Sequence, residues 1–218
     1  MKKRTLLLIG ILCSGLGVLA QDDPAAQKLL QSVSQKYQSY RTAKIDFSLR
    51  ATNQQQQTTV NQHGALIVAP KSNKYRITTE DQVLISDGKQ QWNILKEEQE
   101  VQLTDAAGGG ETETITPATI FTFYTKGFTY GAARDETVSG KRLAVIDLSP
   151  EDNRKSFSKV RLRIDKNAQQ IYDITVFDKG GSQNQYSIQK FTPNVEVTTK
   201  TFTFDKADFP HMEMVDLR

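Results

Sequence analysis

Residues 74–104 read KYRITTEDQVLISDGKQQWNILKEEQEVQLT. Apolar and polar side chains alternate here in four short runs: Lys74–Thr78, Gln82–Ser86, Gln91–Leu95 and Glu100–Thr104. A period of two predicts half-buried β-strands, and the Asp87-Gly88 pair is a turn signal between two of them. Four short strands joined by tight turns predict an antiparallel meander.

The same alternation continues on both sides of this stretch. Further strands are predicted at 44–49, Gly64–Val68, Lys141–Leu148, Lys159–Ile164, Gln170–Val176, Asn184–Lys190 and Lys200–Phe204. The segments Gln54–Gln57 and Ala106–Gly110 are predicted loop tips, and Lys179-Gly180-Gly181 is a predicted turn. Because no strand–helix–strand rhythm is visible, so many short strands predict a mainly β (α+β) protein with one large curved antiparallel sheet or barrel.

Two helices interrupt the pattern of strands. In the first, apolar side chains recur every three or four residues after Pro24, namely Ala26, Leu29, Leu30, Val33, Tyr37 and Tyr40. This spacing predicts an amphipathic helix that packs on an apolar surface. The second helix is predicted to begin at Thr116 and Pro117, an N-cap and a first-turn residue, and to end before Gly127. Its apolar composition predicts that it covers the sheet.

The N-terminal residues 1–20 are predicted to be a secretory signal peptide. Basic residues at 2–4 precede the apolar run 6–12, and small residues follow up to Ala20, where we expect cleavage. The apolar run is too short to span a bilayer. Residues 21–218 then form a single predicted domain without cysteine, because Cys13 leaves with the signal peptide. An exported domain without disulfides depends on its core for stability.

Charge and motif content exclude several classes of function. The chain has 28 basic and 25 acidic residues, and three of the basic ones lie in the signal peptide, so the mature domain is formally neutral. Neutrality argues against nucleic-acid binding. His63 and His211 lack the spacing of metal ligands, and the sequence has no phosphate-binding loop or nucleophile elbow. We therefore predict no metal, no cofactor and no enzymatic activity.

Several motifs resemble the periplasmic outer-membrane lipoprotein carrier family, the LolA type. Tyr75-Arg76-Ile77, the segment Val83–Lys89 and Trp92 resemble that family's hairpin, in which an S-D-G-K turn joins a strand to a returning strand with an aromatic residue. Other matching pieces follow the same order along the chain: the helix ending in Tyr37 and Tyr40, Thr116-Pro117, Leu148-Ser149-Pro150, the hairpin Asp178–Gly181, Phe202-Thr203-Phe204, Pro210, Val215 and Asp216. The resemblance covers nearly the whole mature chain.

One position departs from this family pattern. The carriers typically have a basic residue just before the proline that precedes this hairpin, where it helps to hold the lid closed. Here Ala69 precedes Pro70, and Lys71 follows. The resemblance therefore does not extend to the residue that latches the lid.

The resemblance implies an unclosed antiparallel β-barrel whose helices form a lid over a hydrophobic cavity. It implies a periplasmic chaperone that is not an enzyme. Such a carrier would take acylated lipoproteins from an inner-membrane ABC-type release complex (LolCDE-like), shield their acyl chains, and deliver them to an outer-membrane acceptor (LolB-like). We expect it to act as a monomer and to bind no nucleic acid.

Strand alternation then predicts which side chains face this cavity. The expected sheet positions are Phe47, Leu49, Tyr75, Ile77, Leu84, Trp92, Ile94, Val160, Leu162, Ile164, Ile174, Val176, Tyr186 and Ile188. The expected lid positions are Leu30, Val33, Ile120, Phe121 and Tyr124. Alternation does not distinguish cavity lining from packed core. Lys159, Arg161 and Arg163 share one face of a strand, which is either a solvated face or a docking site for a partner or for lipid head groups.

Two other functions stay open at this point. The same fold could serve as an envelope sensor that binds lipid or misfolded protein, signals to a membrane partner and passes no cargo on. A hydrolase of unfamiliar type is the third alternative, although the motifs supply no nucleophile, base and oxyanion set. Transfer of a bound acyl ligand to an acceptor separates the carrier from the sensor.

Overall fold

A computed structural model describes residues 23–106 and 120–218, and the helix and strands below are those of this part of the chain. The helix is α1 (Pro24–Ser39). The strands are β1 (Ala43–Asn53), β2 (Thr58–Ala69), β3 (Lys74–Thr79), β4 (Gln82–Ser86), β5 (Gln90–Leu95), β6 (Glu100–Asp105), β7 (Phe128–Tyr130), β8 (Arg134–Val138), β9 (Lys141–Pro150), β10 (Phe157–Asp165), β11 (Gln170–Asp178), β12 (Ser182–Pro193) and β13 (Glu213–Asp216). The predicted signal peptide, the start of the second helix at Thr116-Pro117 and most of the loop Ala106–Gly110 lie outside the described residues.

All the strands belong to one 13-stranded sheet in the order β13-β6-β5-β4-β3-β2-β1-β12-β11-β10-β9-β7, with β8 also paired to β9. Strands β1 to β6 form one meander and β9 to β12 form another, and the pairing of β1 with β12 joins them. The pairs are antiparallel except for β13 beside β6, which is parallel. Because the edge strands β13 and β7 do not pair with each other, the sheet is an unclosed barrel, as predicted.

Helix α1 lies against the inner face of this sheet. Asp23 caps its first turn by accepting a hydrogen bond from the Ala25 amide at 2.8 Å, and Pro24 occupies a first-turn position. Ala26, Leu30, Val33, Ser34 and Tyr37 form the buried face. The other carboxylate oxygen of Asp23 accepts from the Ala133 amide at 2.9 Å, and the Lys36 ammonium donates to the Ala168 carbonyl at 2.6 Å. Both ends of the helix are therefore tied to the barrel.

No helix in residues 23–106 and 120–218 is long and apolar enough to cross a membrane.

Buried side chains of the described residues form two clusters on opposite faces of the sheet. The larger cluster lies inside the curve, where α1 meets buried side chains of strands β1, β2, β3, β9, β10 and β11. The smaller one consists of Val83, Ile85, Trp92, Ile94, Val101 and Leu103 on β4–β6, against which Phe204, Phe209 and Met212 pack. The C-terminal segment therefore covers an outer apolar patch that the inner cluster does not reach.

Two predicted elements differ from the structure. The predicted strand at Lys200–Phe204 is wrong: Thr199–Phe202 form a single 3-10 turn, because the Thr198 and Thr201 side chains and amides cap each other reciprocally. In the described part of the second predicted helix, residues 120–122 form a turn and Phe123–Thr125 form a 3-10 turn, followed by Gly127 at φ +75°. Strands β7, β8 and β13 were not predicted.

Candidate functional site

An apolar cavity of about 350 Å³ lies on the inner side of the barrel. Strands β1, β2, β3, β10, β11 and β12 supply its wall, together with Ile120 and Phe121. Its volume lies within the range of about 300–1,000 Å³ in which proteins bind small ligands. Most of the wall consists of aliphatic and aromatic side chains, so the cavity suits a hydrocarbon chain.

Eight of the predicted cavity residues line it. They come from four strands and from the segment after residue 119: Phe47, Ile77, Ile174, Val176, Tyr186, Ile188, Ile120 and Phe121. Three of these strands are neighbours in the sheet, and their cross-strand registers place Phe47 beside Ile188 and Tyr186 beside Ile174. The period-two pattern and the pairing together explain why side chains far apart in sequence meet here.

Most of the other predicted positions lie in the core beside the cavity. Leu30, Val33, Tyr75, Tyr124, Val160, Leu162 and Ile164 are buried in the inner cluster, and Leu84 packs against it. Leu49 is half-buried next to Tyr186 on β12. Burial raises the pKa of the Tyr37, Tyr75 and Tyr124 hydroxyls, so these groups stay neutral at physiological pH.

The inward orientation predicted for Trp92 and Ile94 is wrong. Ile85 pairs with Trp92 and Leu84 with Asn93, so Trp92 points to the opposite face from Leu84. Alternation then places Ile94 on the outer face with Trp92. Both side chains belong to the outer cluster. A period of two identifies the apolar face of a strand but not the side of the sheet on which the cavity lies.

Six lining residues escaped the prediction: Ile45, Leu66, Ser156, Phe157, Asp178 and Asn184. Ile45 has the same parity as Phe47 on β1, and Asp178 has the same parity as Val176 on β11. Strand parity could have found Ile45, Leu66, Asp178 and Asn184, and the last two were missed because only apolar side chains were considered. Parity could not have found Ser156, which precedes β10, or Phe157, which a register shift separates from the rest of that strand.

A glycine on β2 makes room for the aromatic wall. Gly64 lies opposite Phe47 in the sheet. A Cβ atom at Gly64 would lie 2.6 Å from the Phe47 ring and 3.0 Å from the Thr78 carbonyl oxygen. The absence of a side chain therefore lets the Phe47 ring lie over β2 at the cavity wall.

Aromatic contacts connect α1 to the cavity. The rings of Tyr37 and Phe121 stack with centroids 4.1 Å apart, and Phe191 meets Tyr37 edge-on at 5.2 Å. Because Phe121 lines the cavity, this cluster joins the helix to the wall through packed rings. Such aromatic pairs add about 1 kcal/mol each beyond their buried area.

One end of the cavity is polar. Asp178, the last residue of β11, and Asn184 on β12 line it together with Ser156. The Asn184 amide donates to the Asp178 carboxylate at 3.2 Å. Burial, and then the nearby Asp178 carboxylate, raise the pKa of the Tyr186 hydroxyl.

Acidic side chains neutralise the basic face of β10. Arg161 donates to both oxygens of Asp147, its cross-strand neighbour on β9, at 2.6 and 2.9 Å. Arg163 pairs in the same way with buried Asp173 on β11 and also reaches Glu136. The Lys159 ammonium lies 4.3 Å from the Phe177 ring centroid. These contacts favour a solvated, internally paired face.

The described residues 23–106 and 120–218 contain no group of three or more His, Cys, Asp or Glu side chains placed to hold a metal ion.

The sequence matches the family described as outer membrane lipoprotein carrier protein LolA over residues 38–205. No curated protein matches the chain significantly. An uncharacterized conserved protein from Thermus thermophilus has a similar fold, with a TM-score of 0.58 at 9% identity over 88% of this chain and 99% of its own. A LolA superfamily protein from Nitrosomonas europaea has a TM-score of 0.45 at 11% identity, covering 82% of this chain and 97% of its own. Lipoprotein LppX from Mycobacterium tuberculosis has a TM-score of 0.47 at 12% identity, covering 81% and 100%. Since the family match spans well over half of the sequence, the chain belongs to the family of the outer membrane lipoprotein carrier protein LolA.

Proposed function

We propose that this protein is a periplasmic carrier that binds the acyl chains of lipoproteins in its inner cavity and shuttles them from the inner to the outer membrane. The cavity of about 350 Å³ with its largely apolar wall carries the proposal. Membership of the LolA family supports it. We propose that the eight predicted residues that line the cavity contact the acyl chain, and that an inner-membrane release complex and an outer-membrane acceptor are its partners.

The energetics favour a cavity over an open groove. An acyl chain of about fifteen methylenes gains roughly 12 kcal/mol when it leaves water, at about 0.8 kcal/mol per CH₂. That gain requires contact around most of the chain, and a cavity lined by a curved sheet and by Ile120 and Phe121 supplies more contact than an open groove. Release needs an acceptor with a higher affinity for the chain, because a carrier shifts an equilibrium only through differential binding.

Native mass spectrometry tests the binding step. The mature protein is mixed with a triacylated lipoprotein released from membranes, and a soluble one-to-one complex is expected. Ile188→Asp and Phe121→Asp place a charge in the cavity wall and should abolish the complex. Val60→Asp is the matched control, because Val60 is 62% exposed and does not line the cavity. Circular dichroism verifies that each variant is folded.

A transfer assay tests the carrier step. Loaded protein is mixed with membranes that contain an outer-membrane acceptor, and the lipoprotein is followed into the pellet. Movement of the cargo to the membranes supports a carrier. Retention of the cargo by the protein would favour the sensor, and binding by a folded Ile188→Asp variant equal to wild type would overturn the assignment of the cavity.

A further inference from the structure

The polar end of the cavity differs in chemistry from the rest of its wall. Val176 and Asp178 are two residues apart on β11, about 7 Å along the strand, and both line the cavity. Exposed Ser156 and half-buried Asn184 lie at the same end. A ligand whose hydrocarbon contacts Val176 and the residues beyond it therefore has its head group beside Asp178.

The hydrogen bonds that the described residues make to Asp178 involve only one of its two side-chain oxygens. Asn184 donates to Oδ2. Among residues 23–106 and 120–218, no side chain or amide donates to Oδ1, and no cation lies within ion-pair distance of this carboxylate. The neighbouring Lys179 ammonium donates instead to the Asn153 carbonyl. Within the described part of the chain, Oδ1 of this carboxylate is therefore a free acceptor at the end of an apolar cavity.

We propose that Asp178, with Asn184 and Tyr186, selects the head group of the bound acyl ligand. The site accepts acyl ligands whose head is a neutral or cationic hydrogen-bond donor, such as a hydroxyl, an amide N–H or an ammonium group, and it disfavours carboxylate and phosphate heads. This inference rests on the proposed function, because it requires that a hydrocarbon chain occupies the cavity.

The physical reason is that an ionised carboxylate only accepts hydrogen bonds. A donor head group can satisfy Oδ1, whereas a second anion brings two like charges together at the mouth of a low-dielectric cavity. Tyr186 stays protonated, since burial and Asp178 raise the pKa of its hydroxyl. Its hydroxyl can therefore also donate to the carbonyl of an ester or amide.

Three ligands with the same twelve-carbon chain test the inference: dodecanol, dodecylammonium and dodecanoate. Each is titrated against a fluorescent acyl probe bound to the mature protein at neutral pH, below its solubility limit or critical micelle concentration. The wild type should bind dodecanol and dodecylammonium at least about tenfold more tightly than dodecanoate. Asp178→Asn should tighten dodecanoate binding about tenfold, weaken dodecylammonium binding similarly, and leave dodecanol within about twofold.

The Asp178→Asn substitution suits the site because the new side-chain amide keeps an oxygen that accepts from Asn184. Asp208→Asn is the control: Asp208 is exposed in the C-terminal segment, and its loss changes the net charge equally without touching the cavity. We expect the control to leave all three affinities unchanged.

Each outcome has a distinct meaning. If none of the three ligands displaces the probe, the proposed acyl-binding function itself fails. If all three bind and Asp178→Asn does not alter their ratios, acyl binding stands and the head-group inference is overturned. Equal effects of Asp178→Asn and Asp208→Asn would attribute the selectivity to net charge and would also overturn it.

Discussion

At the scale of single residues, the S-D-G-K motif is a structural turn. Asp87 Oδ1 accepts from the amides of Lys89 and Gln90, each at 2.8 Å. The buried Ser86 hydroxyl accepts from the Gly88 amide at 3.1 Å. Gly88 has φ +91°, and a Cβ atom there would lie 2.5 Å from the Ser72 carbonyl oxygen. The motif therefore forms the β4–β5 turn and lets it pack closely against the segment before β3.

The Gly88→Ala variant should lose about 2 kcal/mol of unfolding free energy, because the left-handed conformation strains alanine and the Ser72 carbonyl must move. Urea unfolding measures the loss. Gly180→Ala is the control, since Gly180 has no positive φ and no atom within 4 Å of the added Cβ. Its unfolding free energy should stay within about 0.5 kcal/mol of wild type. Equal losses in the two variants would contradict this account of the turn.

The ion pair on the outer face predicts a response to acid. Hydrogen bonds from Arg161 are the main reason that the pKa of Asp147 lies below its ordinary value. A carboxyl whose folded pKa is lower than its unfolded one stabilises the protein above the unfolded pKa, about 4, and this stabilisation is lost as the pH falls through the folded pKa. Asp147→Asn removes the effect, so the difference in unfolding free energy between wild type and variant should shrink as the pH falls from about 5 to about 2.

Urea unfolding at several pH values measures this difference. Arg161→Gln removes the main hydrogen bonds that lower the pKa of Asp147. Like Asp147→Asn, it should therefore reduce the loss of unfolding free energy as the pH falls. A gap between wild type and Asp147→Asn that stays constant over the whole pH range would contradict the assignment.

At the scale of elements, the sequence predicted the strands well where both apolar parity and a turn signal were present. Gln82–Ser86 matches β4 at both ends, and Pro24 begins α1 as expected. The alternating aromatic residues Phe202 and Phe204 match the pattern of a strand, but reciprocal capping by Thr198 and Thr201 stabilises a 3-10 turn there instead. β13 could not be predicted because its four residues form a strand only by pairing with the edge of β6. For the site, strand alternation identified six wall residues, and the predicted second helix supplied Ile120 and Phe121. Alternation failed for β5, whose apolar face the C-terminal segment covers.

This covering role of the C-terminal segment is testable because the chain has a single tryptophan. The Trp92 and Phe204 rings stack at 6.3 Å, and Phe204 stacks on Phe209 at 5.6 Å. Phe204→Ala should expose Trp92, shift its fluorescence emission to longer wavelength, and lower the unfolding free energy by about 2 kcal/mol. Acyl binding should not change, since this cluster lies on the other face of the sheet from the cavity.

Phe177→Ala is the matched control for this experiment. Phe177 lies on β11, on the outer face beside Lys159, and it does not contact the Trp92 cluster. Its loss should leave the Trp92 emission unchanged. An unshifted Trp92 spectrum in a folded Phe204→Ala variant would show that the segment does not shield the outer patch.

At the scale of the whole molecule, the two apolar faces of the sheet differ in how they are filled. The outer patch on β4–β6 is covered by the chain's own C-terminal segment, whereas the inner face retains a cavity of about 350 Å³ beside a packed core. Packed interiors contain few voids of this size, because unfilled space forfeits dispersion contacts. A cavity of this kind lowers the stability of the unliganded protein, and a bound ligand restores it by mass action.

Two cross-strand neighbours allow the cavity to be distinguished from the packed core by experiment. Val160 on β10 pairs with Val176 on β11; Val160 is fully buried, whereas Val176 is half-buried and lines the cavity. Val176→Phe should fill part of the cavity, raise the unfolding free energy by about 1 kcal/mol, and weaken acyl-probe binding at least about tenfold. Val160→Phe adds the same atoms to a packed site and should instead lower the unfolding free energy by about 2 kcal/mol. Urea unfolding and probe titration measure both effects. If Val176→Phe destabilised the fold as much as Val160→Phe does, the space beside Val176 would be packed core and the inner face would have no room for cargo. Changes of opposite sign in unfolding free energy at these two adjacent positions identify instead a cavity that is kept open at the expense of stability.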